Sequence, residues 1–311
     1  MENGKPYKIL SIDGGGIRGV IPALFLAALE EKTGAPLYKN FDLICGTSTG
    51  ALIALAAASG VKIDRVLELY KTKGRKIFPS SFWGKEKFVS LFKNAALYDD
   101  APLRRELRAL YGGKTAADLK TAVLIPSTNL SLKKPMVFRN AERHFWNFLS
   151  TNKELRLTDM ALATSAAPYF FKPKKIAAEY FWDGGLWANN PAMSGFIEAQ
   201  KVTGGARTVH MLSVGTGSAQ EGKLSYKELQ TLGFVDPKMT VPVMLDIQAL
   251  AVHGQVERLM RYSGGVYKRV DCAFNEPKTL DDASKANIAE MLAAAEHMTR
   301  EHLPETVQIF F

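Results

Sequence analysis

Short apolar runs alternate along the chain with longer segments in which apolar residues recur at helical spacing. The runs predict buried strands, and the helical spacing predicts helices that flank them. The predicted strands are residues 7–13, 41–45, 122–128, 136–139 and 208–214. The predicted helices are residues 17–32, 49–59, 64–76, 102–111, 157–166, 241–260 and 281–301. This alternation predicts an α/β fold with a mostly parallel central sheet flanked by helices.

Neither an internal repeat nor a linker-like stretch interrupts the alternation. We therefore expect a single domain over residues 1–311, with a motif-bearing core at about 7–217 and a helical C-terminal part at about 218–311. The chain is 47% hydrophobic and 23% charged, which is typical of globular proteins and excludes global disorder. Its two cysteines, Cys45 and Cys272, exclude a disulfide scaffold and offer no spacing for structural zinc.

The most apolar window, residues 51–58, is less than half the length that spans a bilayer. The first ten residues lack the order of a signal peptide, so we expect a cytoplasmic protein. The net charge is +9, with basic clusters at 71–76, 133–139 and 172–175. This surplus favours a polyanionic partner such as nucleic acid, an anionic membrane or a phosphorylated small molecule, and a well-solvated surface is the alternative.

Two glycine-rich turns each follow a predicted strand and precede a predicted helix, where sites form in α/β sheets. The second turn has the G-x-S-x-G pattern of a nucleophile elbow, with Gly46 and Gly50 on either side of Ser48. Such a serine lies at a helix N-terminus, which favours developing negative charge. The alternative is a glycine turn in which Ser48 or Thr49 caps the helix.

The first turn, residues 13–19 (DGGGIRG), formally matches the dinucleotide fingerprint of an oxidoreductase. The fingerprint needs an acid at the end of the next strand, whereas Asp42 lies at its beginning. The main-chain N–H groups of Gly14, Gly15 and Gly16 are instead suited to an acyl-transfer oxyanion. Arg18 would add positive charge, hold a substrate phosphate, or close a surface turn.

A serine nucleophile needs a base, and the sequence leaves two choices. The order Ser48, Asp183, His210 matches that of an α/β-hydrolase triad, although His210 lies within a predicted strand where a core histidine is common. The alternative is Asp183 alone, in the segment FWDGG. A carboxylate is a weaker base than an imidazole, so a Ser–Asp dyad requires burial that raises the pKa of the aspartate. A simple tight turn at Asp183-Gly184-Gly185 is the structural alternative.

Together these segments resemble the patatin-like phospholipase family. The resemblance rests on DGGGIRG at 13–19, GTSTG at 46–50, ATSAAP at 163–168, DGG at 183–185 and NNP at 189–191, and it covers roughly residues 7–217. It implies a three-layer patatin-like architecture.

The resemblance also implies a reaction. Ser48 would be the nucleophile and Asp183 the base, and the oxyanion would bind around Gly14, Gly15 and Gly16, with Arg18 supporting the loop. The reaction would be hydrolysis of acyl esters of membrane phospholipids through an acyl-serine intermediate, with no metal or organic cofactor. Aromatic side chains would line an acyl channel or pack in the core, namely Phe78, Phe82, Trp83, Phe88 and Phe92.

A narrower resemblance, carried by IDGGGIRGV at 12–20 and WANNP at 187–191, is to bacterial patatin-like effectors of antiphage defence. It implies activation by a cyclic dinucleotide such as cGAMP, peripheral contact with the inner membrane surface, no nucleic acid polymer as partner, and a homodimer or higher assembly. The alternatives are an unregulated housekeeping lysophospholipase, an acyltransferase, or a catalytically silent nucleotide-sensing module.

Overall fold

The computed structural model describes residues 4–79, 96–140, 154–219, 237–276 and 278–311. Its strands are β1 Tyr7–Ile12, β2 Leu43–Gly46, β3 Ala122–Asn129, β4 Lys134–Arg139, β5 Lys174–Ile176, β6 Glu179–Asp183, β7 Val209–Val214, β8 Ser218–Ala219, β9 Val266–Val270 and β10 Ala273–Phe274. Its α-helices are α1 Val20–Thr33, α2 Thr49–Ser59, α3 Ile63–Ile77, α4 Ala101–Tyr111, α5 Leu157–Thr164, α6 Gly185–Ala188, α7 Ala192–Thr203, α8 Pro237–Tyr262 and α9 Lys285–Phe310.

A central eight-stranded sheet has the order β5-β6-β3-β2-β1-β7-β9, and β4 also pairs with β3. Strands β3, β2, β1, β7 and β9 run parallel. Strands β4 and β6 pair antiparallel with β3, and β5 pairs antiparallel with β6. The predicted α/β fold with a mostly parallel sheet is therefore confirmed.

The sheet separates two apolar layers, because successive side chains of a strand point to opposite faces. Leu10 of β1 and Ile44 of β2 belong to the larger core cluster, which also contains the buried side chains of α1, α2 and α3. Ile9 and Leu43, one position earlier on the same strands, belong to the smaller cluster under α7 and α8. Helices therefore cover both faces, which gives the expected three layers.

Helix α2 is buried along its whole length, as its apolar sequence predicts. Its first turn lies against the end of β1, because a β-carbon at Gly50 would overlap the carbonyl oxygen of Ile12. This approach brings the N-terminus of α2 to the edge of the sheet where the parallel strands end.

Some elements differ from the sequence prediction. Helix α9 begins after Ser284, whose side chain accepts a hydrogen bond from the N–H of Asn287, and it continues past Pro304 to Phe310. The predicted helix, residues 281–301, began and ended earlier than α9. Strands β5, β6, β8, β9 and β10 and helices α6 and α7 were not predicted. Within the described residues, no helix combines the length and apolar composition needed to cross a membrane.

Candidate active site

The turn between β2 and α2 is sharp, and Ser48 lies at its apex. Ser48 has φ 52° and ψ −121°, a backbone conformation that residues with side chains rarely adopt. Gly46 and Gly50 lie two positions before and after it, and a β-carbon at Gly46 would overlap the carbonyl group of Gly50. The two glycines permit the close approach that exposes the serine hydroxyl at the helix N-terminus.

The hydroxyl of Ser48 does not cap α2, although Ser48 occupies the N-cap position. It lies near the carboxyl group of Asp183 instead, and it lowers the pKa of that group. The hydroxyl of Thr49 pairs with the phenol of Tyr70, so neither of the two side chains is used as a helix cap. The alternative of a simple capped turn is therefore wrong for this structure.

Strand register explains how Asp183 reaches a serine that precedes it by 135 positions. Cys45 of β2 lies opposite Leu124 of β3, and Ser127, three residues further along β3, lies opposite Asp183 at the end of β6. Ser48 is itself three residues beyond Cys45. Serine and aspartate are therefore level with each other, just past the end of the short strand β2.

Asp183 is almost completely buried, with 7% of its surface exposed. Its Oδ1 accepts a hydrogen bond of 2.7 Å from the N–H of Gly185. Burial raises the pKa of Asp183 from its ordinary value near 4 to about 7, although the hydrogen bonds from Gly185 and Ser48 act in the opposite direction. A carboxyl group with this pKa can both accept and release a proton near neutral pH.

The glycine-rich loop after β1 lies against the serine, since a β-carbon at Gly14 would be 3.4 Å from the β-carbon of Ser48. The N–H groups of Gly15 and Gly16 donate to no acceptor among the described residues. The N–H of Gly14 donates to the carbonyl oxygen of Asn189 at 3.0 Å. The expectation that Gly14 contributes an oxyanion donor is therefore corrected, because its hydrogen is already used.

Arg18 does not face the site as a substrate-binding cation. It is 1% exposed, and its guanidinium donates to the carbonyl of Gly217 and to both carboxylate oxygens of Asp246, with Nη2 2.9 Å from Oδ1. Its buried charge is compensated by Asp246 of α8, so it has no capacity for a substrate phosphate. Its position is that of a side chain that supports the glycine-rich loop from behind.

His210 lies far from the serine. His210 lies opposite Lys8 of β1. The end of β2, at Gly46, lies opposite Ile12, which is four positions further along β1. Four residues of a strand span about 13 Å. Burial, and to a lesser extent the charge of Lys8, lowers the pKa of His210. The triad order in the sequence therefore does not correspond to a triad in space.

Thr164 has a positioning role that the sequence analysis missed. Its hydroxyl accepts a hydrogen bond of 3.0 Å from the N–H of Ser48 and donates one to the carbonyl of Pro126. Its carbonyl accepts a hydrogen bond from the N–H of Gly184. Thr164 thus connects the serine turn to the aspartate loop. It lies in the ATSAAP segment, whose distinctive sequence was the available signal.

A narrow cavity of about 70 Å³ opens beside the serine. Ser48, Asp183, Gly15 and Gly16 all line it, and the rest of its wall is mainly apolar. The apolar wall includes Leu52, Leu69, Ile77, Phe78, Leu103, Phe170, Phe171, Val241 and Leu245.

Of the five aromatic side chains expected near an acyl channel, Phe78 is in this wall. Phe82, Trp83, Phe88 and Phe92 lie outside the described residues. The described part of the chain contains no cluster of histidine, cysteine and carboxylate groups suited to a metal ion.

Residues 10–195 match the family model described as patatin-like phospholipase. A cGAMP-activated phospholipase of Pseudomonas aeruginosa is 34% identical over 212 residues, which cover 68% of this chain and 62% of that relative. A cGAMP-activated phospholipase of Vibrio cholerae is 30% identical over 336 residues, which cover 94% of this chain and 90% of that relative. A cGAMP-activated phospholipase of Escherichia coli is 37% identical over 203 residues, which cover 61% of this chain and 55% of that relative. The matched region thus spans from about half to nine tenths of these relatives.

The buried carboxyl group generates a prediction about stability. Asp183 holds its proton up to about pH 7 in the folded state but only to about pH 4 in the unfolded state, so ionisation destabilises the fold as the pH rises between these values. Asp183→Asn keeps a neutral acceptor for the N–H of Gly185. We expect its advantage in unfolding free energy over the wild type to grow by about 2 kcal/mol from pH 5 to pH 8.

Urea unfolding of both proteins at the two pH values measures this change. The matched control is Asp64→Asn, which neutralises an exposed carboxylate. Its difference from the wild type, measured at the same two pH values, is the baseline with which the Asp183→Asn change is compared. An Asp183→Asn advantage that does not depend on pH would contradict the assigned pKa.

Proposed function

Because the chain belongs to the patatin-like phospholipase family, we propose that it is a serine lipid acyl hydrolase that cleaves acyl esters of membrane phospholipids. The observation that carries this proposal is that Ser48 and the buried Asp183 line the same apolar cavity, beside the N–H groups of Gly15 and Gly16, which are free among the described residues. The apolar wall suits a fatty acyl chain, whose burial is favourable in proportion to its apolar area.

In the first half of the proposed reaction, Oγ of Ser48 attacks the ester carbonyl carbon while its proton passes to the carboxylate of Asp183. The oxyanion of the tetrahedral intermediate accepts hydrogen bonds from the N–H groups of Gly15 and Gly16. Collapse of the intermediate breaks the bond to the alcohol oxygen, which takes the proton from Asp183 and leaves as the lysolipid. The acyl group remains on Ser48.

In the second half, Asp183 accepts a proton from water, and the resulting hydroxide attacks the acyl-serine carbonyl. The same two N–H groups stabilise the second oxyanion. Ser48 leaves with the proton from Asp183, and the fatty acid is released. A carboxyl group whose pKa lies near 7 suits this double use, because each half-reaction needs it as a base and then as an acid.

We also propose that a cyclic dinucleotide activates the enzyme and that this response serves antiphage defence. The proposal is supported by the three bacterial relatives named cGAMP-activated phospholipases. It is also supported by the basic surplus of the chain, because a cyclic dinucleotide carries two phosphate charges.

Removing the nucleophile tests the chemistry. We expect Ser48→Ala to lower fatty-acid release from a fluorogenic phospholipid by at least about 10³-fold, and Asp183→Asn to have a similar effect, because the two groups act as a unit. His210→Ala should retain the wild-type rate within about two-fold, since His210 lies outside the site. Assays with and without cyclic dinucleotides cover both regulatory states.

Labelling by a fluorophosphonate probe provides a second readout. The wild type should be labelled and Ser48→Ala should not. Undiminished fatty-acid release by Ser48→Ala would refute the proposed nucleophile. A wild-type protein that is neither labelled nor active with any activator would instead indicate a silent sensing module.

The pKa of Asp183 predicts the pH profile, because only the carboxylate can accept the serine proton. We expect kcat/KM to rise about ten-fold per pH unit below pH 7 and to level off above it. A soluble short-chain ester avoids changes in lipid packing during this measurement. A rate that is constant from pH 5 to pH 8 would exclude a base with this pKa.

Activation is tested with a panel of cGAMP, c-di-GMP and c-di-AMP added to vesicles that contain the fluorogenic lipid. We expect low activity alone and an increase of at least about ten-fold with one member of the panel. The control is the mononucleotide GMP, which should not activate the enzyme. Equal rates under all conditions would support the unregulated lysophospholipase instead.

A further inference from the structure

Two polar cavities lie side by side along α4. The first has a volume of about 630 Å³ and lies between residues 96–100 and residues 172–175. The second, of about 360 Å³, lies between α4 and the start of α5. Arg104 lines both, and we call the two adjacent cavities together the double basic cavity.

The double basic cavity carries a surplus of positive charge. Its cations are Arg104, Arg108, Arg156, Lys172, Lys174 and Lys175, and its carboxylates are Asp99, Asp100 and Asp159. Six cations against three carboxylates leave a net charge of +3. The lining of the active-site cavity, in contrast, contains Asp183 and no cationic side chain among the described residues. The double basic cavity therefore has the sign of charge that suits an anionic ligand.

Two of the cations are paired within the cavity. Nη2 of Arg104 lies 2.6 Å from Oδ2 of Asp100. Nζ of Lys174 lies 2.6 Å from Oδ1 of Asp159. The other four cations, Arg108, Arg156, Lys172 and Lys175, form no ion pair with any described residue.

The position of the unpaired cations separates them into two groups. Lys172 and Lys175 line the first cavity, and Arg108 and Arg156 line the second. Arg104 lies between the groups, one helical turn before Arg108. Arginine and lysine side chains in a concave surface are the usual partners of phosphate oxygens.

We infer that the double basic cavity binds a ligand with two phosphate groups, one on each side of Arg104. The inference rests on the proposed function only in giving the ligand a regulatory role. A soluble cyclic dinucleotide and a lipid headgroup with two phosphates share this chemistry, and the experiment below distinguishes the two sources.

Two segments that line the double basic cavity also contribute neighbouring residues to the active-site cavity. Leu103, next to Arg104 on α4, lines the active-site cavity, as do Phe170 and Phe171, which directly precede Lys172. The N–H of Tyr98 also donates to the carbonyl of Phe170 at 2.8 Å. A ligand that bridges α4 and residues 172–175 would therefore restrain two walls of the acyl-binding cavity, which is a direct route for regulation.

The test is direct binding, measured by isothermal titration with the 311-residue Ser48→Ala protein so that no turnover occurs. The soluble probes are cGAMP, c-di-GMP, c-di-AMP and inorganic pyrophosphate. The lipid probes are phosphatidylcholine vesicles with and without a phosphatidylinositol bisphosphate. The test variant is Arg108→Gln combined with Lys172→Gln, which removes one exposed, unpaired cation from each cavity. Thermal unfolding confirms that each variant is folded.

The matched control is Arg105→Gln, an exposed arginine of α4 that lines neither cavity. We expect the test variant to bind its probe at least about ten-fold more weakly, and the control to bind like the parent. Binding should also weaken with added salt. A loss seen with a cyclic dinucleotide indicates a nucleotide site, a loss seen with pyrophosphate alone indicates a site for a free diphosphate, and a loss seen only with phosphoinositide vesicles indicates a headgroup site.

Equal affinities of test variant and parent, or no binding of any probe, would overturn the inference. These outcomes are separate from a failure of the proposed function. A protein that binds through these cations but never hydrolyses lipid keeps the inference and removes the hydrolase. An active enzyme whose ligand binding is insensitive to Arg108 and Lys172 keeps the hydrolase and removes the inference.

Discussion

The close approach of three backbone segments at the end of β2 is the constraint on which the site depends. Helix α2 must begin directly against β1, and this is possible only because Gly50 has no β-carbon to meet the carbonyl of Ile12. The same crowding holds Ser48 at φ 52°. The serine hydroxyl is consequently held beyond the sheet edge, where it meets Asp183 rather than the first turn of its own helix.

Local sequence was sufficient to identify the serine turn, because every feature of that turn lies within five consecutive residues. The aspartate is different. FWDGG identifies a bend, but its distance from Ser48 depends on β6 pairing antiparallel with β3 just where β2 has ended. Strand β6 has only five residues and mixed polarity, so periodicity did not reveal it. Residue patterns alone left two possible bases for Ser48, and the resemblance to a family selected Asp183 before the structure did.

Buried charges were the least predictable part of the site. An arginine after three glycines looks available to a substrate, yet Arg18 is paired with an aspartate 228 positions later in the chain. Arg269 on β9 similarly compensates the charge of the buried Asp13, next to the glycine-rich loop, with its Nη2 2.6 Å from Oδ2 of Asp13. Burial raises the pKa of Asp13 to about 6 against the opposing effect of Arg269. No short-range pattern contains such pairs, since each joins two distant segments.

Helix α8 contributes two of the long-range contacts that position the glycine-rich loop. Asp246 of α8 accepts a hydrogen bond from the guanidinium of Arg18. The carbonyl of Leu245, also on α8, accepts a hydrogen bond from the side chain of Asn189. The backbone carbonyl of Asn189 in turn accepts a hydrogen bond from the N–H of Gly14. The family match ends at residue 195, whereas α8 spans Pro237–Tyr262. The orientation of the glycine-rich loop therefore depends on a helix outside the matched motifs. Two proteins with identical motifs can differ in their oxyanion geometry when this helix differs.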